Sequence, residues 1–142
     1  MSKIAPFPHR YTVTLNDRQI TAPPRAPIAA GSPPQFGGSD DVWSPEELLV
    51  AATLECLWTT FEAYARRENL VVQSWTGDVV GVLDKGKTGP EFTSITQRVE
   101  LLVAPGDEER ARRILDHAEK HCIISNALKV PVLLDATVRA VE

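Results

Sequence analysis

The sequence predicts an α+β fold in which antiparallel sheets from both ends of the chain surround a long central helix. Two observations lead to this prediction: two segments repeat apolar residues at helical spacing, and several shorter segments alternate apolar and polar residues. With 142 residues, 43% of them hydrophobic, the chain is large enough for one core. We therefore expect a single domain over residues 1–142.

The N-terminal segment predicts a β-hairpin. Residues 10–15 alternate, which would place Tyr11, Val13 and Leu15 on one face of a strand. After a turn, residues 19–22 predict the second strand. The proline-rich stretch that follows is expected to be mostly extended loop.

The long helix has a well-marked start. Ser44 is predicted to cap it, Pro45 takes the first helical position, and Glu47 can complete a capping box with Ser44. No glycine or proline interrupts the sequence from Leu48 to Arg67. The small size of several inward positions favours close packing against another helix. The residues expected on this inward face are Leu49, Ala52, Cys56, Thr59 or Thr60, and Ala63.

The remaining segments predict three strands and one helix. Residues 74–83, 91–103 and 130–141 alternate and are predicted as strands of an antiparallel sheet. Asp107 is expected to cap a second helix, which would end near Cys122. The apolar stripe of this helix consists of Ala111, Ile114, Leu115, Ala118 and Cys122.

Composition narrows the functional classes. The net charge of −4 offers no basic field for nucleic acid or for an anionic membrane surface. No window approaches the roughly 18 apolar residues that span a bilayer, and the first residues lack the apolar core of a signal peptide, so we expect a cytoplasmic protein. A reducing cytosol disfavours a permanent disulfide. Cys56 and Cys122 are then structural thiols, metal ligands or a reversible redox couple.

A redox role would require one thiol to ionise. A thiolate needs a nearby cation or hydrogen-bond donor, because burial among apolar groups alone raises the pKa of a thiol. Cys56 lies about three turns from the start of its helix, beyond the reach of the helix dipole. An arginine is therefore needed from elsewhere. Arg18 and Arg25 are the candidates, with a carboxylate to hold the guanidinium in place.

Three short motifs together indicate a family. They are Phe36-Gly-Gly38, then Ser44-Pro-Glu-Glu-Leu-Leu49 followed by Cys56, then His121-Cys122 followed by Ser125-Asn-Ala-Leu128. Over nearly its whole length the sequence resembles the osmotically inducible protein C and organic hydroperoxide resistance proteins (OsmC and Ohr), which are cysteine-based peroxidases.

The resemblance implies an OsmC-like fold, an intertwined homodimer and the reduction of organic hydroperoxides, with inorganic ones left open. It makes Cys56 the peroxidatic cysteine and Cys122 the resolving cysteine. It implies Arg18 as the activating arginine, with Arg25 as a rival, and Glu46 as the residue that orients it. No bound cofactor is implied, because an external dithiol, such as a lipoylated protein, would restore the thiols.

Helix geometry constrains the roles of Glu46 and Cys56. The ten residues from one to the other span about 15 Å along the axis and roughly 80° around it. The two side chains cannot meet within one chain. A site that uses both therefore requires a second copy of the helix packed antiparallel, in agreement with the implied homodimer.

Two alternatives belong to other functional classes. His117 and His121 are four residues apart on one predicted helix and Cys122 is adjacent, a spacing that can hold zinc. A non-catalytic protein could instead bind a small molecule in an apolar crevice between subunits. The aromatic residues expected to line such a crevice are Trp43, Trp58 and Phe61.

Overall fold

The computed structural model describes residues 3–142, which divide into two compact units. The first unit ends at Glu47 and the second spans Leu48–Glu142. Each unit contains one three-stranded sheet. The α+β class is therefore confirmed, whereas the prediction of one domain over the whole chain stays a prediction.

The first unit contains the predicted hairpin in a shorter form. β1 (Thr14–Asn16) pairs antiparallel with β2 (Gln19–Thr21), which also pairs with β3 (Ile28–Ala29). The predicted strand over residues 10–13 is wrong. Continuing the register would place those residues opposite Pro23 and its neighbour Pro24, which cannot donate hydrogen bonds to the ladder.

The turn between β1 and β2 has an uncommon backbone. Asp17 and Arg18 both adopt positive φ, at 47° and 67°. Two such central residues are typical of the type I′ turn, whose twist suits a two-residue hairpin. The turn therefore fixes the position of the Arg18 main chain, and the Arg18 carbonyl accepts a hydrogen bond from the Ala30 amide at 2.9 Å.

The two glycines of the Phe36-Gly-Gly38 motif have structural roles. Gly37 ends a short 3₁₀ helix (Pro34–Phe36) with a φ of 79°, a conformation that favours glycine. A Cβ atom at Gly38 would lie 1.8 Å from the carbonyl oxygen of Ser32, so no side chain fits there. This part of the motif is thus explained by backbone geometry.

Helix α1 spans Pro45–Arg67, the predicted bounds. Its capping box is also present: the Glu47 amide donates to Ser44 Oγ at 3.1 Å, and the Ser44 amide donates to Glu47 Oε1 at 3.3 Å. None of the helices in residues 3–142 has the length and apolar character needed to cross a membrane.

The inward face predicted for α1 is wrong by one position. Its buried residues are Thr53, Leu57, Phe61 and Ala65, whereas Cys56 is half-buried and Ala63 is exposed. Neighbouring helical positions point about 100° apart, so the small-residue stripe lies beside the core-facing stripe. The larger side chains Leu57 and Phe61 take the core position because they remove more apolar area from water.

The second unit builds its sheet from three long strands. β4 (Val72–Lys85) and β5 (Pro90–Val103) form an antiparallel hairpin, as predicted. β6 (Val132–Ala140) pairs with β5 in parallel, so the prediction of purely antiparallel sheets is wrong. A parallel neighbour requires a crossover connection, and α2 (Glu108–Lys120) provides it.

Helix α2 packs its predicted stripe into the core but ends before Cys122. Ala111, Ile114, Leu115 and Ala118 are all buried. Cys122 is buried too, yet it occupies the N-cap position of a separate short helix, α3 (Ile123–Asn126). Asp107 stands at the N-cap of α2 without capping it, because its carboxylate accepts a hydrogen bond from Arg110 at 3.1 Å.

Candidate active site

The second unit brings the two cysteines together. Cys56 lies half-buried on α1, and Cys122, which follows α2, is 1% exposed. Both are free, and they lie close together, because the Cys122 thiol contacts the main chain of Thr53, three residues before Cys56 on α1. The sequence thus predicted both residues, and the fold places them side by side.

Local backbone geometry positions Cys122. The amide of His121 still bonds to the Ala118 carbonyl at 3.2 Å, but Cys122 has an extended backbone that separates α2 from α3. Its thiol donates to the carbonyl oxygen of Thr53 at 3.9 Å, a long and weak hydrogen bond. This bond connects the start of α3 to the buried face of α1.

The surroundings of Cys122 favour its protonated form. Burial raises the pKa of the Cys122 thiol, hydrogen bonds with Ser125 lower it in part, and the neighbouring Cys56 raises it again. The net direction is upward. Cys122 is therefore a thiol at neutral pH, which does not suit the first nucleophile of a redox cycle.

Cys56 has a more open environment. It is half-buried, and within residues 48–142 its sulfur has one hydrogen-bonding partner, the hydroxyl of Thr60 at 3.9 Å. Within residues 48–142 no basic side chain forms a hydrogen bond with either sulfur. A cation that stabilises a Cys56 thiolate would therefore have to come from outside this unit.

The candidate arginines both belong to the first unit. Arg18 is exposed at the β1–β2 turn, and Arg25 is exposed with one guanidinium nitrogen donating to the Ala22 carbonyl at 3.2 Å. Neither arginine forms an ion pair with Glu46 within residues 3–47. The roles assigned to Arg18, Arg25 and Glu46 stay predictions.

Glu46 lacks a partner for one of its oxygens. Its Oε1 atom is buried and accepts no hydrogen bond from residues 3–142. By contrast, Glu47 beside it is fully engaged in the capping box with Ser44. A buried carboxylate oxygen without a donor is costly, because the group loses water without compensation. The Oε1 atom of Glu46 could therefore accept a hydrogen bond from a further donor.

Several polar contacts of the two sulfurs were not predicted as site residues. Thr53, Thr60 and Ser125 hydrogen-bond with the cysteines or anchor them. Thr60 stands four residues after Cys56 and Ser125 three after Cys122, spacings that put side chains on one helical face. That spacing is the signal that could have identified them.

The zinc alternative gains no support. The rings of His117 and His121 pack with their planes tilted by 50° and their centroids 4.3 Å apart, and Tyr64 contacts the His117 ring edge-on at 4.5 Å. Across residues 3–142, no group of three or more histidine, cysteine, aspartate or glutamate side chains is arranged to hold a metal ion. The two histidines and Tyr64 form an aromatic cluster on the surface of the second unit.

The aromatic residues predicted to line a crevice have separate environments. Phe61 is 0% exposed and belongs to the core. Trp58 packs against Trp75 with ring centroids 4.9 Å apart and lines an open apolar groove in the second unit. Trp43 lies in the first unit, where its main chain pairs with Ala29 and Gly31. Phe61 is therefore a core residue and not a ligand contact.

Solved structures share this fold. An OsmC-like protein of unknown function from Vibrio cholerae has a TM-score of 0.76 at 21% identity, over 84% of this chain and 82% of its own. An organic hydroperoxide resistance protein from Elizabethkingia anophelis has a TM-score of 0.70 at 17% identity, over 94% and 99%. An organic hydroperoxide resistance protein OsmC from Legionella pneumophila has a TM-score of 0.67 at 17% identity, over 92% of this chain and 98% of its own.

The family comparison concerns the sequence itself. No curated protein matches the chain significantly. A family model described as OsmC-like protein matches residues 38–136, more than half of the chain, and this segment includes Cys56, Cys122 and Glu46. On this match, with the fold in agreement, the chain belongs to the OsmC-like protein family.

Proposed function

We propose that this protein is a thiol-dependent peroxidase that reduces organic hydroperoxides through a cycle of Cys56 and Cys122. The observation that carries the proposal is that the two cysteines lie close together within one folded unit, where Cys122 contacts Thr53, three residues before Cys56. Membership of the OsmC-like family supports it. Two similar structures are named organic hydroperoxide resistance proteins, which favours this substrate class.

In the proposed cycle Cys56 attacks first. Its thiolate takes the distal oxygen of the hydroperoxide, the O–O bond breaks, and the alkoxide leaves as an alcohol after gaining a proton. The Cys122 sulfur then attacks the Cys56 sulfenic acid, and water leaves as the disulfide forms. An external dithiol, such as a lipoylated protein, returns two electrons and two protons, so no bound cofactor is needed.

We further propose that a homodimer completes the site. Cys56 needs a cation, and Glu46 needs a donor for its buried Oε1 atom. An ion pair between Arg18 and Glu46, with one or both residues from a second subunit, would supply the cation to Cys56 and the donor to Glu46. Arg25 is the rival arginine for this pair. Exposed apolar side chains in each unit support a partner subunit. Those with more than half of their surface exposed include Tyr11, Val13, Leu15, Val71, Val80, Ile123 and Leu133.

Turnover assays test the proposal. The purified protein should consume an organic hydroperoxide in the presence of a dithiol, and the Cys56→Ser variant should not. Running the same assay with hydrogen peroxide would decide whether inorganic peroxide is also a substrate. Absence of turnover by the wild-type dimer with every hydroperoxide tested would contradict the proposal. A reducing cytoplasm is the proposed setting, because the cycle requires a thiol reductant.

One observation favours the alternative of a non-catalytic binding protein. The groove beside Trp58 and Trp75 has a volume of about 710 Å³ and is largely apolar, with Glu55 and Asp78 at its edge. Binding of an apolar ligand there without any hydroperoxide turnover would favour this alternative. Turnover that depends on Cys56 would exclude it.

A further inference from the structure

A cavity of about 430 Å³ borders Cys122 but not Cys56. It lies within the second unit, where Leu57 of α1 and Gln97 of β5 also line it. A molecule in this cavity would therefore lie beside Cys122 and not beside Cys56. The mechanism proposed above assigns no function to this space.

Gln97 gives the cavity a specific chemical character. Its side chain is 1% exposed, and its Nε2 atom is buried without a hydrogen-bond partner in residues 3–142. An unpaired buried donor is costly, so such groups are rare without a reason. If the amide turned toward the cavity, an acceptor oxygen on a bound molecule would provide the missing partner.

The charges around the cavity favour an electron-rich ligand. Lys120 and Lys129 both line it, together with Glu119. The pKa of Glu119 is raised, mainly by burial and to a smaller extent by the nearby charge of Asp116. A raised pKa reduces the negative charge of Glu119 and so its repulsion of an anionic ligand. A carbonyl or carboxylate oxygen therefore fits the cavity better than a cationic or purely apolar group.

Building on the peroxidase function proposed above, we propose that this cavity is the docking site of the dithiol reductant. Gln97 would donate a hydrogen bond to a carbonyl or carboxylate oxygen of that reductant and so position its thiols beside Cys122. Gln97 is thus a positioning residue, and it is the feature that distinguishes one dithiol from another.

The location of the cavity sets the direction of electron flow. A thiolate of the reductant attacks the Cys122 sulfur, the Cys56–Cys122 bond breaks, and Cys56 leaves as a thiolate. The second thiol of the reductant loses a proton and attacks the mixed disulfide, which releases the cyclic oxidised dithiol and returns Cys122 as a thiol. The reverse polarity is disfavoured, because the raised pKa of Cys122 makes it a poor leaving group.

Reduction rates of the preformed disulfide test the proposal. The disulfide is formed with diamide, so the test does not depend on peroxide chemistry. Dihydrolipoate and 1,3-propanedithiol are compared, because both are 1,3-dithiols and only the first carries a carboxylate. We expect Gln97→Met to slow reduction by dihydrolipoate on the order of tenfold and to leave 1,3-propanedithiol unaffected.

Controls separate docking from a general structural effect. Gln73→Met makes the same change at an exposed position of β4 and should leave both rates unchanged. Equal slowing of both dithiols by Gln97→Met, or no slowing of either, would overturn the role of Gln97 and the docking site. If Gln97→Met slows dihydrolipoate alone but the wild-type protein does not turn over peroxide, only the proposed peroxidase function is contradicted.

A second measurement uses the wild-type protein and needs no variant to fold. The diamide-oxidised protein is mixed with N-acetylcysteine, quenched with acid, and mapped by mass spectrometry. We expect the adduct on Cys122, since the cavity borders that sulfur. An adduct mainly on Cys56 would show that the reductant arrives from another side and would overturn the proposal.

Discussion

The thiol of Cys122 donates a hydrogen bond to the carbonyl oxygen of Thr53, at 3.9 Å, three residues before Cys56 on α1. Cys122, which is distant in sequence, therefore contacts α1 one helical turn before Cys56. Because this contact places Cys122 close to Cys56, we expect oxidation to join the two sulfurs.

One equivalent of an organic hydroperoxide should therefore convert both thiols into an intramolecular Cys56–Cys122 disulfide. Thiol titration before and after the addition should fall from two free thiols per chain toward none. Peptide mapping under non-reducing conditions would identify the linkage. Two free cysteines, or linkage only between chains, would remove the resolving role from Cys122.

The two single-cysteine variants should differ in kind. Cys56→Ser should abolish peroxide consumption, because the attacking sulfur is missing. Cys122→Ser should react once and then stop as a sulfenic or over-oxidised species, because no thiol condenses with it. Mass spectrometry of the products distinguishes the two states. Equal residual turnover in both variants would contradict the assignment of attack and resolution.

Substitution of Glu46 tests the shared site. Glu46→Ala should lower turnover by about tenfold or more, because the activating arginine loses its carboxylate partner. Glu47→Ala is the matched control: it removes the carboxylate half of the capping box, costs at most about 1 kcal/mol of stability and leaves the turnover of folded protein unchanged. Similar turnover losses in both variants would return Glu46 to a structural role.

Mixed dimers test whether the site crosses the subunit boundary. A chain with Glu46→Ala and a chain with Cys56→Ser should together regain activity, because one of the two sites then combines an intact Cys56 with an intact Glu46. Turnover of the mixture should exceed that of either parent severalfold. A mixture no more active than its parents would contradict a site completed by the second subunit.

The raised pKa of Cys122 predicts a pH-dependent stability. In the unfolded chain this thiol ionises near its ordinary value of 9.0, whereas the folded protein keeps the proton to higher pH. The folded state then binds more protons, so the free energy of unfolding should fall as pH rises through about 9.

Urea unfolding at several pH values from about 7.5 to 10 would measure this effect. Cys122→Ala cannot ionise at that position, so its free energy of unfolding should fall less over the same range. The two proteins are compared by how steeply the free energy of unfolding changes with pH, because the variant also loses packing at a buried position and so has a lower stability at every pH. Parallel curves for the two proteins would contradict the predicted proton linkage.

Local sequence patterns were sufficient for the longer elements α1, β4, β5 and β6. The bounds of α1 follow from Ser44, Pro45 and Glu47 and from the absence of helix breakers up to Arg67, because capping is decided within one turn. The strand β6 was predicted from the alternation of residues 130–141, since side chains alternate along any strand. The central position of α1 stays a prediction.

The arrangement of these elements in space was harder to predict from the sequence. Alternation does not distinguish a parallel from an antiparallel neighbour, so the parallel pairing of β6 with β5 was missed. Helical spacing alone placed Cys56 on the inward face of α1, whereas the core selected the stripe of Leu57 and Phe61. Burial is decided by the volume of neighbouring elements, which no local pattern contains.

The sequence by itself determined the two cysteines, the capped helix that carries Cys56 and, through its motifs, the family of the chain. Only the tertiary structure decided that Cys122 lies against Thr53, that Glu46 has an unpartnered buried oxygen and that Gln97 faces a cavity. The physical reason is that hydrogen-bond partners and cavities arise where distant segments meet. A residue type states which bonds a side chain can form, and the fold decides which of them it does form.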